Sequence, residues 1–289
     1  MNTILLVILF FLALILAGVF FWYVGRVLAA PEPSSVGTPP EHLPIESIEL
    51  QGKRGNRLAA WFIPGEVGKA GLLLLHGIRS NRRVMLERAS FLHKAGYSIL
   101  LFDFQAHGES AGKQITFGHL ESQDTETAFN WLQEQLGNIP IGVLGISLGG
   151  ASIVLSSIAR KARAVILEST FSSLKEAVAN RIVLRLGRFG RYLVPLLLWQ
   201  VRPRLGISPH TLAPIDKIHE IDAPLLIMGG TKDVHTLICE TQALYEKAVE
   251  PKEFWAVEGA EHENFHAYLN EEYEQRILDF FERSLSPTS

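Results

Sequence analysis

A serine stands between glycines at residues 145–150, GISLGG, directly after the apolar run IPIGVLGI. The G-x-S-x-G spacing suits a sharp strand-to-helix turn that presents the hydroxyl of Ser147 as a nucleophile, with glycines where side chains would crowd the turn. The pattern also arises by chance, so its surroundings decide. Four other apolar runs are followed at once by reactive residues. His76-Gly77-Ile78 ends the run GLLLL, Asp103 ends YSILLF, Asp233 follows PLLIMGG and His262 follows EFWAVEG. If these runs are parallel strands, their carboxyl ends share one edge of a sheet, where ligands bind. Ser147, Asp233 and His262 then supply a nucleophile, an acid and a base in that chain order.

The elements needed to position them are legible. SIEL and RLAAWFI read as two antiparallel strands that open a sheet. Then come GLLLLH, YSILLFDF, IPIGVLGI, AVILES, PLLIMGG and EFWAVEG, each apolar enough to be buried on both faces. Helices are expected near 82–95, 120–136, 149–162, 237–249 and 265–284, with Asn81, Thr125 and Ser147 as candidate helix starts. This alternation predicts an α/β fold, a mostly parallel twisted sheet of about eight strands with helices on both faces. Residues 172–213 interrupt the rhythm after the sixth strand, and an insertion of that length reads as a lid.

The chain has 289 residues, a net charge of -3 and 47% hydrophobic residues. The near-neutral balance gives no support to nucleic-acid binding. One cysteine, Cys239, excludes an internal disulfide. Neither C-x-x-C nor H-E-x-x-H occurs, so no metal site is expected, and no cofactor is implied.

The motifs LLLLHGIRSN, FDFQAHGES, GISLGG, LLIMGGTKD and GAEH, in this order, resemble the α/β-hydrolase superfamily. The resemblance is to its serine hydrolases of the monoacylglycerol lipase and Bem46-like (serine aminopeptidase S33-type) lineage, and it covers roughly residues 47–284. It implies that Ser147 attacks a carbonyl carbon and that His262 takes its proton. Asp233 orients the imidazole, and the backbone N–H groups of Ile78 and Leu148 receive the oxyanion. It implies hydrolysis of a carboxylic ester of a lipid or other acyl group. Peptidase, amidase and acyl-transfer chemistry on the same fold are alternatives, and a non-catalytic binding protein is the rival from another class. His76 is expected to shape the oxyanion loop, His107 to sit in a turn, His235 to rim the pocket and His266 to lie on a helix surface. Asp103 is expected to organise its loop, while Asp216 and Asp222 fall before the seventh strand, at the wrong edge.

Residues 1–24 contain Ile4–Val24, 21 residues without a charge, ending in Trp22 and Tyr23. As a helix this run spans about 31 Å, the thickness of a bilayer core. The flank MNT lacks Lys and Arg, which favours an uncleaved single-pass anchor over a signal peptide. Arg26 then places the catalytic domain on the cytoplasmic side. Residues 25–46 hold five prolines and read as an extended tether without a packed core. The hydrolase body is expected over 47–286. The insertion carries seven Lys and Arg against one acid, Glu176, beside the apolar run YLVPLLLWQV. A basic face beside exposed apolar residues suits an anionic membrane surface, so membrane is expected as a partner through both segments.

Overall fold

The structure is a computed structural model and describes residues 3–286. Its elements run in the order α1 (Thr3–Leu28), β1 (Glu32–Pro33), β2 (Glu46–Gln51), β3 (Arg57–Ile63), β4 (Gly71–Leu75), α2 (Leu86–Lys94), β5 (Ser98–Phe102) and β6 (His107–Gly108). They continue with α3 (His119–Leu136), β7 (Ile141–Ile146), α4 (Leu148–Leu155), β8 (Ala164–Glu168), α5 (Leu174–Leu186), α6 (Val194–Leu198), α7 (Val201–Leu205), β9 (Leu225–Gly230), α8 (Ile238–Lys247), β10 (Lys252–Val257), α9 (Phe265–Leu269) and α10 (Glu271–Leu285). The main sheet has eight strands in the order β10-β9-β8-β7-β4-β5-β3-β2, all parallel except where β3 meets β5 and β2. Each of the eight apolar runs forms one of these strands.

The sheet is buried on both faces because its central strands are apolar at nearly every position, and the two-residue period divides them between two cores. Leu72, Leu74, Leu144, Ile166, Leu226 and Met228 face one core, completed by Phe91 of α2 and Ile277, Phe280 and Phe281 of α10. Leu73, Leu75, Val143, Val165, Leu225 and Ile227 face the other, with Phe129 and Leu132 of α3, Ile153 of α4 and Leu244 of α8. Asn81 does cap a helical turn, its side chain accepting from the Arg83 N–H at 3.1 Å. Thr125 does not start α3. The helix begins at His119, where the Glu121 carboxylate reaches back to the Gly118 N–H at 2.9 Å, a side-chain cap that offsets an orphan donor.

The N-terminal region differs from expectation. α1 continues four residues past Val24 to Leu28, with a length and composition that suit a membrane anchor or a signal sequence. The segment after it is extended but does have a packed core contact. Val36 and Leu43 are buried in the cluster that holds α2 and α10. β1 pairs in parallel with β6, and Arg83 Nη1 donates to the Val36 carbonyl at 2.9 Å. The prolines keep the strand extended, and two well-spaced apolar residues dock it.

Candidate active site

β7 ends at Ile146 and α4 begins at Leu148, so Ser147 alone makes the turn, with φ 50° and ψ −105°. A non-glycine residue held there costs about 1–3 kcal/mol, and such strain concentrates at functional sites. The Ser147 N–H donates to the Glu168 carbonyl at 2.8 Å, and the Ser147 carbonyl accepts from the Ala151 N–H at 3.0 Å. The flanking glycines are explained by contact. A Cβ on Gly145 would lie 2.5 Å from the Gly149 carbonyl carbon, and one on Gly149 would lie 2.5 Å from the Leu75 carbonyl oxygen. Side chains at either position would push α4 off β7 or β4.

Asp233 and His262 lie in the loops after β9 and β10 and meet through a hydrogen bond, Nδ1 to Oδ2, at 2.7 Å. The other Asp233 oxygen accepts from the His235 and Thr236 N–H groups, both at 2.8 Å. The Asp233 side chain is fully buried, whereas that of His262 is 22% exposed. A carboxylate so fixed holds the Nδ1–H tautomer and leaves Nε2 free to act as a base. Among the described residues no hydrogen bond joins His262 to Ser147.

Ser147, Ile78 and Leu148 line one cavity of about 370 Å³. Leu148 is the first residue of α4, where backbone N–H groups have no partner within the helix and favour negative charge. The cavity is walled mainly by apolar side chains, among them Phe117, Phe171, Leu174, Val178, Leu197 and Leu198. Among the described residues its charged lining is four arginines, Arg79, Arg181, Arg185 and Arg204, and no carboxylate. Arg181 was not singled out from the sequence. Burial lowers its pKa, opposed by the nearby Asp233 and Glu240 carboxylates.

The other sequence candidates fall as follows. His76 is buried, Nδ1 toward the Gly77 carbonyl at 2.7 Å and Nε2 accepting from the Phe104 N–H at 3.1 Å. It therefore ties the loop that carries Ile78 to the end of β5. His107 is buried beside it, ring centroids 5.4 Å apart. Asp103 accepts from the Arg82 and Glu109 N–H groups and pairs with the buried Arg82 guanidinium, which organises its loop. His235 packs its ring 5.5 Å from that of His262, and burial followed by Arg181 lowers its pKa. His266 is not a plain surface residue. It is half-buried, its Nε2 2.8 Å from Glu274.

Sequence reading also missed a buried cluster beneath the turn. Glu168 ends β8 and pairs with Arg88 Nη2 at 2.8 Å, while Arg88 Nε donates to the Tyr273 hydroxyl at 2.8 Å and that hydroxyl donates to Glu168. The rule that selected Asp103, a charge at the carboxyl end of a strand, would have selected Glu168 too.

His76 sets an acid limit. Burial, then the neighbouring His107, lowers its pKa from 6.5 to about 3. The unfolded chain therefore takes a proton near pH 6.5 that the native chain refuses until about pH 3. Stability from His76 is complete above pH 6.5 and is lost as pH falls, at up to about 1.4 kcal/mol per pH unit. Asp124 works in the opposite sense, since burial raises its pKa to about 7. The measurement is thus a difference. Urea unfolding of the wild type and of His76→Gln from pH 7.5 to 4.5 should show the stability gap between them narrowing as pH falls, and a constant gap would contradict the assignment.

Comparison with known proteins agrees with this architecture. The family described as Serine aminopeptidase, S33 matches residues 67–212. Escherichia coli YfhR, described as uncharacterized, is 29% identical over 280 residues, covering 93% of this chain and 88% of YfhR. Zebrafish (Danio rerio) lysophosphatidylserine lipase ABHD12 is 24% identical over 192 residues, covering 63% of this chain and 48% of that protein. The Pyrococcus furiosus esterase Pf2001 superposes with a TM-score of 0.73 at 24% identity, covering 89% of this chain and 100% of the esterase, which shows a shared fold. A strained serine turn on a sheet of this order, with the family match running from before β4 through the insertion, makes the chain a member of the serine aminopeptidase S33 family of α/β-hydrolases.

Proposed function

We propose that the protein is a membrane-anchored serine hydrolase that cleaves carboxylic esters of long apolar acyl groups through Ser147, His262 and Asp233. The observation that carries this reading is the strained Ser147 on the wall of a largely apolar cavity. In the proposed reaction His262 Nε2 takes the Ser147 Oγ proton as Oγ bonds to the carbonyl carbon. The Ile78 and Leu148 N–H groups receive the oxyanion. Collapse expels the alcohol, which receives its proton from His262. Water then attacks the acyl-enzyme with His262 again as base, releasing the acid and restoring Ser147.

The family description supplies a second reading, an aminopeptidase. Recognition of a free α-amino group calls for an acidic partner, and the cavity lining offers arginines and no carboxylate. The electrostatics favour a neutral or anionic polar end on the substrate. Side-by-side kinetics separate the two. p-Nitrophenyl esters and monoacylglycerols should be turned over far faster than aminoacyl p-nitroanilides, and the reverse preference would sink the ester reading.

Anchoring by α1 is supported by its uncharged run Ile4–Val24, about 31 Å as a helix. Arg26 near the end of the span favours a cytoplasmic catalytic domain, and protease accessibility in sealed spheroplasts tests it: digestion from outside reverses the assignment. The β8–β9 insertion is proposed to rest on the bilayer as a lid. Phe189, Tyr192, Leu196 and Trp199 are exposed there, close in sequence to Arg185, Arg188 and Arg191. A chain starting at Ala29, which retains Val36 and Leu43, should co-sediment with anionic liposomes. Changing those three arginines to Glu should reduce binding at least tenfold, since each is worth about 1 kcal/mol at such a surface. Binding insensitive to both lipid charge and these changes would leave an ordinary lid.

A further inference from the structure

The burial of α1 is confined to one stripe. Residues 3–20 are exposed throughout, and the first partly buried positions are Phe21, Val24, Gly25 and Leu28. Their spacing of three, four and seven puts them on one face of the last two turns. That face borders the cavity that holds Ser147: Phe20, Phe21, Val24, Gly25 and Leu28 line it. A helix needed only to hold a domain at a membrane has no reason to lie against the reacting serine's cavity.

The helix is fixed there from two sides. From the β8–β9 insertion, the buried Gln200 donates from Nε2 to the Phe21 carbonyl at 2.8 Å, and the Arg204 guanidinium stacks 3.9 Å from the centroid of the Trp22 ring. Gly25 allows this approach, since a Cβ there would fall 2.3 Å from Gln200 Oε1. From the loop after β4, Arg79 Nη2 donates to the Val27 carbonyl at 2.8 Å and to that of Leu28 at 3.3 Å, carbonyls that a helix end leaves without an internal partner. Arg79 adjoins Ile78, so the residue next to a candidate oxyanion donor also caps the apolar helix.

We infer that α1 is a wall of the acyl-binding site and a determinant of acyl-chain length, and that long-chain substrate reaches Ser147 laterally from the lipid phase along α1. This rests on the proposed ester-hydrolase and anchoring readings and adds to them the role of α1. The lining residues sit on the last turns of the apolar helix, beside Trp22 and Tyr23, whose rings favour the membrane interface. An acyl chain passing from the bilayer to the cavity would keep apolar surface on one side throughout. Each methylene buried against that wall contributes about fourfold in binding, so a wall residue sets how many methylenes are accommodated.

The test uses the full chain in proteoliposomes. kcat/KM is measured for p-nitrophenyl acetate and p-nitrophenyl palmitate, and a fluorophosphonate probe reports the serine independently. Val24→Trp fills the cavity beside α1 and should lower the palmitate-to-acetate ratio at least tenfold. Phe21→Ala opens the same wall and should move the palmitate-to-acetate ratio away from the wild-type value, upward, which keeps the test sound should the tryptophan disturb folding. Ile15→Trp, on the exposed part of α1, should leave the ratio at the wild-type value. If both wall variants take the probe and keep the wild-type ratio, α1 is an anchor alone and the inference is overturned while the hydrolase reading stands. A wild-type chain that takes no probe and turns over no ester removes the hydrolase reading, and this inference with it.

Discussion

His262→Ala should lower kcat on ester substrates nearly as far as Ser147→Ala, by about 10⁴- to 10⁶-fold. The reason is that the proposed groups act as a unit. Without a base the Ser147 hydroxyl keeps its proton, and without the hydroxyl the base has nothing to activate. Asp233→Asn should be severe, about 10⁴-fold, because an amide nitrogen facing Nδ1 would turn the imidazole to the wrong tautomer. Asp233 is the stronger candidate acid on geometry: its two oxygens serve His262 and two backbone N–H groups. Asp103 is instead occupied by Arg82 and Glu109. Steady-state kinetics on the four variants Ser147→Ala, His262→Ala, Asp233→Asn and Asp103→Asn check this. Near-wild-type turnover by Asp233→Asn with loss in Asp103→Asn would reassign the acid.

The second large effect is on stability. Glu168→Ala should destabilise the fold by about 3–5 kcal/mol, because it strands the Arg88 guanidinium in the core. Arg88 is 1% exposed and Glu168 likewise 1%, so water cannot replace the lost partner. For a chain of this size that corresponds to a melting point lower by about 10 °C. Arg88→Met with Glu168→Leu should recover most of the loss, since replacing both charges removes the desolvation cost as well as the attraction. Thermal and urea unfolding of the single and double variants measure the coupling. A single variant within about 1 kcal/mol of wild type would mean that the pair is hydrated in solution.

Much of this was legible because the relevant signals are local. β4 is apolar at all five positions and β8 at all but Glu168, which is paired with Arg88, the composition that strands buried on both faces favour. Ser147 was readable because steric crowding at the turn demands glycine at 145 and 149. Asp233 and His262 followed from their place at strand ends. What was hidden depends on long-range packing. Every residue from Ile4 to Val24 is uncharged, so the pattern carries no polar face to set the Phe21–Val24–Gly25–Leu28 stripe apart. Its partners, Gln200 and Arg204, lie about 180 residues away in sequence. The docking of Val36 and Leu43 was hidden among prolines, which report an extended backbone and nothing of what it touches. The span of α3, expected near 120–136, is His119–Leu136; Thr125 falls inside it because the side chains that cap the first turn, Thr116 and Glu121, flank a glycine at the boundary.

The central claim is that Ser147 is the nucleophile of a serine hydrolase. Fluorophosphonate labelling of the full-length protein in membranes, followed by mass mapping of the adduct, addresses it directly. The wild type should carry one phosphonyl group on the peptide containing GISLGG, with Ser147→Ala unlabelled and His262→Ala labelled far more slowly. Equal labelling of wild type and Ser147→Ala, or an adduct mapped to another residue, would contradict the account.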